Sequence, residues 1–400
     1  MMIAAMIQTA LHSSKKTLIH LSLIDGIGPV TVKKLLASLP KSMQFSDLYT
    51  CTVSDLIHKF GISLSVSQKI VQGLKDTSAL EKEVALLEKY GFSVVTSLCE
   101  SYPKLLTEIY APPVVLYFKG SDFFEEEKSI SIIGSRNAHR YAEEIIYKFV
   151  PELVCDGWTI VSGGAIGADS MAHQAAVQAG GKTIAILGSG LLRPYPASNK
   201  KLFESIVETG GALVSSFSLQ TEARPGNFPI RNRIIAGLSR GCLVVQAAKK
   251  SGTRITAQFA LEQGRELFAV PGSIDDPLSA GCHALIQEGA KLVGSVDDIL
   301  EEFHGYAGVK KSVPVMKKSS KKPSRTCPGY HKPELKLRQT VQGPVLKGIQ
   351  KTIWKSCKTA QSADDIARLV GESLEVVQEQ LFDLQLEGHI KQDFSGLWTR

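Results

Sequence analysis

From about residue 105 to 303, short apolar runs alternate with stretches whose apolar positions recur at helical spacing. The runs at 129–133, 159–161, 183–187, 212–215, 242–246 and 267–270 are too short for helices and rich in Ile, Val and Leu, as strands buried on both faces are. Amphipathic helices are predicted near 138–155, 169–179, 198–209, 231–238, 253–263 and 281–288. Strands and helices in this alternation predict an α/β fold with a doubly wound parallel sheet. Ligands of such sheets sit beyond the carboxyl ends of the strands, where the strand order reverses.

The flanks follow other patterns. After an extension at 1–16, residues 17–76 alternate short apolar helical segments with glycine turns, and a helical unit is expected over 17–104. Within it, Ile24-Asp-Gly-Ile-Gly-Pro-Val-Thr-Val-Lys-Lys-Leu35 has the form of a hairpin-helix-hairpin (SAM-like) element, with Phe60-Gly-Ile62 and Gln68-Lys69 as a degenerate second copy. Gly26 and Gly28 permit a tight turn whose amides suit a backbone phosphate, although a packing or protein-interaction role fits the same pattern. The sheet region is expected at 105–303. Residues 304–345 lack hydrophobic periodicity and read as a linker. Order returns over 346–400, where two or three helices and a β-hairpin suggest a winged helix, acidic through Asp364, Asp365, Glu372, Glu375, Glu379, Asp383 and Glu387. That acidity argues against a duplex-DNA role for it.

Charge sharpens this division. The chain carries +7, yet ten basic residues between Lys310 and Arg338 face only Glu334, so the parts expected to fold are slightly acidic. Seven cysteines without close pairs or metal-type spacing point to a reducing, cytoplasmic setting rather than a disulfide framework or zinc site. The apolar start lacks a leading basic region, and no stretch reaches the length of a membrane span.

The densest chemistry lies in Arg224-Pro-Gly-Asn-Phe-Pro-Ile-Arg-Asn-Arg233, read as a loop at the edge of the core. Arginine forks suit phosphate oxygens, Asn227 and Asn232 add short polar contacts, and an exposed Phe228 ring suits a base. A solvated arginine loop is the plain alternative. Four glycine turns fall at strand ends: Gly134-Ser-Arg136, Ser162-Gly-Gly-Ala-Ile-Gly-Ala-Asp169, Gly188-Ser-Gly190 and Lys249-Lys-Ser-Gly-Thr253. Each offers amides at a helix start, adding Ser135, Arg136, Gly163, Gly164, Lys250, Ser251 and Gly252 to the candidate contacts.

Two motifs are decoys. Ala176-Val-Gln-Ala-Gly-Gly-Lys-Thr183 fits a loose Walker A pattern but follows a helix and enters a strand, the reverse of a phosphate loop. A dinucleotide fingerprint fails because Ser162 stands at its first glycine. Asp169 and His173 share a helical face, yet no third ligand accompanies them. A capping role for Asp169 and a backbone bond for His173 are the favoured reading. No catalytic residue, metal or cofactor is expected.

Taken in order, Ile132-Ile-Gly-Ser-Arg136, Val161-Ser-Gly-Gly-Ala165 with Asp169 and Ala172-His173, and Gly181-Lys-Thr-Ile-Ala-Ile-Leu187 begin a distinctive series. Tyr195-Pro196 with Asn199, Asn227-Phe-Pro-Ile-Arg-Asn-Arg-Ile-Ile-Ala-Gly-Leu238, Ser251-Gly-Thr253, Gln263-Gly-Arg265, Ala269-Val-Pro-Gly272 and Glu288-Gly-Ala290 continue it. Over roughly 100–303 it resembles the DNA-processing protein A (DprA/Smf) family. The resemblance implies an extended Rossmann fold and a homodimer that binds single-stranded DNA without hydrolysing nucleotide. It further implies protection of incoming strands in natural transformation and help in loading the recombinase RecA. By motif position it carries DNA contact onto Ser135, Arg136, Arg224, Asn227, Phe228, Arg231, Arg233 and Lys250. The chain departs from the family's second turn, commonly Gly-x-Ala-Arg-Gly-Ile-Asp, at Ile166 and Ala168. A rival reading, a phosphoribohydrolase-type nucleotide enzyme on a related fold, expects a Pro-Gly-Gly-x-Gly-Thr loop and a nearby glutamate. Here the region reads Lys250-Ser-Gly-Thr-Arg-Ile-Thr256.

Overall fold

The computed structural model describes residues 2–40, 42–122, 128–303, 348–386, 389–392 and 397–399. The linker expected at 304–345 lies outside them. Five helices come first: α1 (Met2–Leu23), α2 (Pro29–Ala37), α3 (Val53–His58), α4 (Leu64–Lys75) and α5 (Ser78–Tyr90). Gly26 turns the chain with φ of 80°, and Pro29 opens α2, where its missing N–H costs nothing. The two hairpins interlock. Lys34 of α2 donates to the Gly61 carbonyl, and the Lys69 ammonium of α4 lies over Gly26, 2.9 Å from where a Cβ would stand. Each glycine turn is therefore covered by a lysine from the other copy.

A nine-stranded sheet follows. Its strands are β1 (Ser93–Thr96), β2 (Val115–Gly120), β3 (Ser129–Ile133), β4 (Thr159–Ser162), β5 (Thr183–Ile186), β6 (Ala212–Ser215), β7 (Gly241–Val244), β8 (Glu266–Ala269) and β9 (Lys291–Leu292). The order is β1-β2-β6-β5-β4-β3-β7-β8-β9, with the β1–β2 and β2–β6 pairs antiparallel and the other pairs parallel. Strands β3 to β7 are buried throughout, which is why they read as unbroken apolar runs. The chain lays β3 to β6 outward on one side and then returns to place β7 on the other. The switch point thus falls between β3 and β7. The sheet also takes in β1, N-terminal to the expected start at 105.

Helices α6 (Lys104–Thr107), α7 (Arg140–Cys155), α8 (Ala168–Gln178), α9 (Lys200–Glu208), α10 (Asn227–Gly237), α11 (Gly252–Glu262), α12 (Ala280–Gln287) and α13 (Val296–Glu302) cover both faces. One core joins Phe149, Trp158, Phe268 and Phe303, and another joins Ile184, Ile234, Ala257 and Leu285. A third runs from Leu18, Leu56 and Ile70 of the helical unit into Tyr117, Leu187 and Leu213 of the sheet. After the linker come α14 (Gly348–Ser356), α15 (Ala363–Val370) and α16 (Leu374–Leu386), then a short antiparallel pair, β10 (Lys391–Gln392) and β11 (Trp398–Thr399). Cys51, Cys99, Cys242 and Cys282 are free, whereas Cys155 is disulfide-bonded, which departs from the expectation of a chain without disulfides.

Among the described residues no helix is long and apolar enough to cross a membrane, and no His, Cys, Asp and Glu group is arranged to hold a metal ion.

Candidate nucleic-acid interface

The run from Arg224 to Arg233 is only partly a loop. Helix α10 starts at Asn227, and Pro229 sits in its first turn, where no intrahelical N–H is needed. Helical spacing then sorts the run. Phe228 and Arg231, three apart, share a face, while Arg233, two residues beyond Arg231, points elsewhere. Arg233 donates through Nη1 to the Tyr110 carbonyl at 3.2 Å, and burial lowers its pKa despite Tyr102 and Tyr110 nearby.

Arg231 turns inward beneath the glycine turns. It is 4% exposed, donates to the Ile186 carbonyl at 3.2 Å and stands 3.9 Å from the Asp169 carboxylate. A Cβ on Gly163 would lie 1.4 Å from Arg231 Nη1, so glycine is required there for the guanidinium to fit. The Asp169 carboxylate accepts from the Gly163 and Ala165 amides at 3.2 and 3.4 Å. The second turn therefore spends two amides on its own aspartate and does not present them to an outside anion. Burial pushes the Asp169 carboxyl upward, with Arg231 the main opposing influence, and brings the Arg231 guanidinium down to about 10, still charged at neutral pH.

His173 is fully buried and pairs with the Thr183 hydroxyl at 2.7 Å, which in turn donates to the Ile160 carbonyl. It reaches a strand side chain rather than the loop backbone expected. Burial, and then Arg231, lowers its pKa to about 3, so the imidazole is neutral.

The four turns form one edge. Ser135 N–H donates to the Gln246 carbonyl at 2.7 Å, and the Ser135 carbonyl accepts from Ala168 N–H. Ser135 Oγ accepts from the Asn137 amide at 3.1 Å. Thr253 Oγ1 donates to the Gly134 carbonyl, joining the first and fourth turns at the switch point. Asn227 ties Gly188 to Glu222 through their carbonyls. Asn199, quoted in the family series without a role, holds the Gly164 carbonyl at 2.9 Å. Gly164 itself has φ of 67° and packs on Phe203.

Above this lattice lies a cavity of about 10 Å³ lined by Arg136, Gly163, Tyr195, Phe228 and Arg231, room for one oxygen-sized atom. The Phe228 ring is half-buried, with the Arg136 and Arg231 guanidiniums 5.4 and 5.6 Å from its centroid and Tyr195 edge-on at 6.3 Å. Cation–π attraction of this kind stabilises each contact by roughly 0.5–2 kcal/mol. Arg231 Nε has no hydrogen-bond partner. Arg136, Arg193, Arg224 and Lys250 are exposed on the rim, and Gly252 has open space around it. Ser251 caps α11, its buried hydroxyl unbonded. Asn232 is half-buried and does not line the cavity. Arg193 and Tyr195 were missed as site residues. Only their place beside Tyr195-Pro196 in the family series signals them.

A mostly parallel Rossmann-like sheet with an arginine-lined crevice at the carboxyl edge of β3, β4 and β5 defines the class of protein. The chain belongs to the DNA recombination-mediator protein A (DprA/Smf) family, whose model matches residues 93–304. It is 41% identical over 225 residues to the DNA processing protein DprA of Bacillus subtilis, covering 56% of this chain and 75% of that one. With the DprA of Streptococcus pneumoniae it shares 40% identity over 253 residues, 60% of this chain and 89% of the relative. The X-ray structure of DprA from Streptococcus pneumoniae superposes with a TM-score of 0.63 at 36% identity, covering 72% of this chain and 97% of that structure.

Proposed function

We propose that this chain binds single-stranded DNA, without nucleotide and without catalysis, along the carboxyl edge of its sheet. The observation that carries the reading is the Arg136–Phe228–Arg231 group around the small cavity. The cavity suits one phosphate oxygen beside Arg231, whose Nε lacks a partner. Arg136, exposed, swings to a neighbouring phosphate and frees a face of Phe228 for an unpaired base. A duplex offers phosphates but keeps its bases stacked, so it gains mainly the electrostatic part. The relatives' names as DNA processing proteins support a DNA partner.

In this reading the chain is a cytoplasmic homodimer that protects incoming strands in natural transformation and helps load RecA. The helical unit and the Rossmann-like sheet share one core, while the basic linker and the C-terminal helices are further modules. The order of α14, α15 and α16 followed by β10 and β11 supports a winged helix.

Fluorescence anisotropy with labelled oligothymidylate and a duplex of equal length, at matched salt and without nucleotide, tests it. Tighter binding of the single strand is expected. Equal affinities, or a requirement for ATP, would refute the reading.

A further inference from the structure

The family model stops at residue 304, so the acidity of the C-terminal helices has no part in the site so far. Their placement gives it one. Helix α16 carries two stripes: Val377, Leu381 and Leu384 are buried in the core of the C-terminal unit, while Gln378, Glu379, Phe382 and Asp383 line a cleft of about 730 Å³. The facing wall of the cleft includes Arg193, Tyr195 and Arg224, with Glu222 beside them. Glu379 and Asp383 are one helical turn apart on α16 and line the same cleft as the two arginines. Tyr195 lines this cleft and the small cavity alike, and meets the Phe228 ring. The cleft is therefore continuous with the nucleic-acid edge.

We propose that the acidic stripe of α16 is an intramolecular occupant of this rim, held against Arg193 and Arg224 and displaced when a strand takes those arginines. The proposal rests on the single-strand reading of the site. Its chemistry is competition between carboxylates and phosphates for the same guanidiniums. Being tethered, α16 faces the rim at high effective concentration. Exposed ion pairs are individually weak, so the cover holds at low salt and opens to a polyanion or to salt.

The test uses the full chain. Hydrogen exchange without DNA is compared between the native protein and a Glu379→Lys/Asp383→Lys variant. Amides of Leu192, Arg193, Tyr195, Glu222, Ala223 and Arg224 should exchange faster in the variant, and in the native chain at high salt. Unchanged exchange would overturn the docking. Oligothymidylate affinity is then measured at low salt. The variant should bind about two- to tenfold more tightly than the native chain, two exposed pairs having been removed. An Asp364→Lys/Asp365→Lys control, which adds the same charge on α15, should not gain. An equal gain in the control would reduce the effect to net charge and overturn the competition. If the exchange differs as expected but no form binds the strand, the docking stands and the single-strand reading fails.

Discussion

The buried and the exposed arginines of the site differ in what they cost and what they can do. Arg231, with Asp169 and His173, sits in a buried lattice: the carboxylate takes two amides, and the guanidinium fills the space that Gly163 vacates, leaving Nε unbonded. Arg136, Arg193 and Arg224 are exposed, and their contacts to Phe228 and across the cleft to α16 are individually weak. A buried pair contributes chiefly by not being broken, since removing one partner strands the other without solvent. A rim charge is kept solvated and is free to trade water for phosphate. The same residue type therefore builds the floor of the crevice in one place and reaches out for the strand in the other.

Asp169→Ala should break this division most severely. It leaves the Arg231 charge buried and unpaired, and should cost about 3–5 kcal/mol in denaturant unfolding. A loss within about 0.5 kcal/mol would mean that Arg231 relaxes outward and that the lattice is not closed.

Arg136→Ala tests the opposite region. Stability should fall by no more than about 1 kcal/mol, the worth of an exposed cation–π contact, while oligothymidylate binding weakens by about 1–3 kcal/mol, the range of a charge-assisted hydrogen bond. Arg136→Lys should restore only part, because a point charge lacks the fork. Titration at several salt concentrations, with melting checked, measures both. Wild-type affinity in Arg136→Ala would remove the residue from the rim.

A pH experiment separates the regions without touching the rim. The His173 pKa is depressed from 6.5 to about 3 in the folded state, so the unfolded chain binds the extra proton between those values. Stability contributed by the neutral imidazole is complete above pH 6.5 and falls by about 1.4 kcal/mol for each unit of acidification below it. His173→Gln should lack that slope. An identical slope in the variant would assign the acid sensitivity to other groups.

Arg233→Ala gives the smallest binding effect. Its guanidinium is turned to the Tyr110 carbonyl, so stability should drop by about 1 kcal/mol and strand affinity should not move. Loss of affinity would show that helical phase alone does not decide which arginines reach the ligand.

These cases also mark where sequence reading stops. The parallel strands β3 to β8 were legible because burial leaves an apolar signature, and their positions follow the runs within a residue or two, whereas the two-residue edge strand β9 was missed. β1 and β2 lie on the antiparallel side of the sheet, outside the strand–helix alternation that marked the others. The basic run was visible as chemistry, but not its sorting. Pro229 suggests a break, whereas at the first turn it is tolerated, and one helix then sends Arg231 and Arg233 in different directions. The occupation of the Gly163 and Ala165 amides by Asp169 depends on a fold-back that no local spacing announces.

The core that runs from Leu18 and Ile70 into Tyr117 and Leu213 bears on how the molecule comes apart. The Glu83 carboxylate also crosses that seam to accept the Leu219 amide at 2.7 Å. Shearing the N-terminal helices away would wet the underside of the sheet, so neither part has a melting event of its own. Calorimetry should record one cooperative endotherm for both. Wherever a boundary is drawn in the sequence between them, the two are a single thermodynamic body.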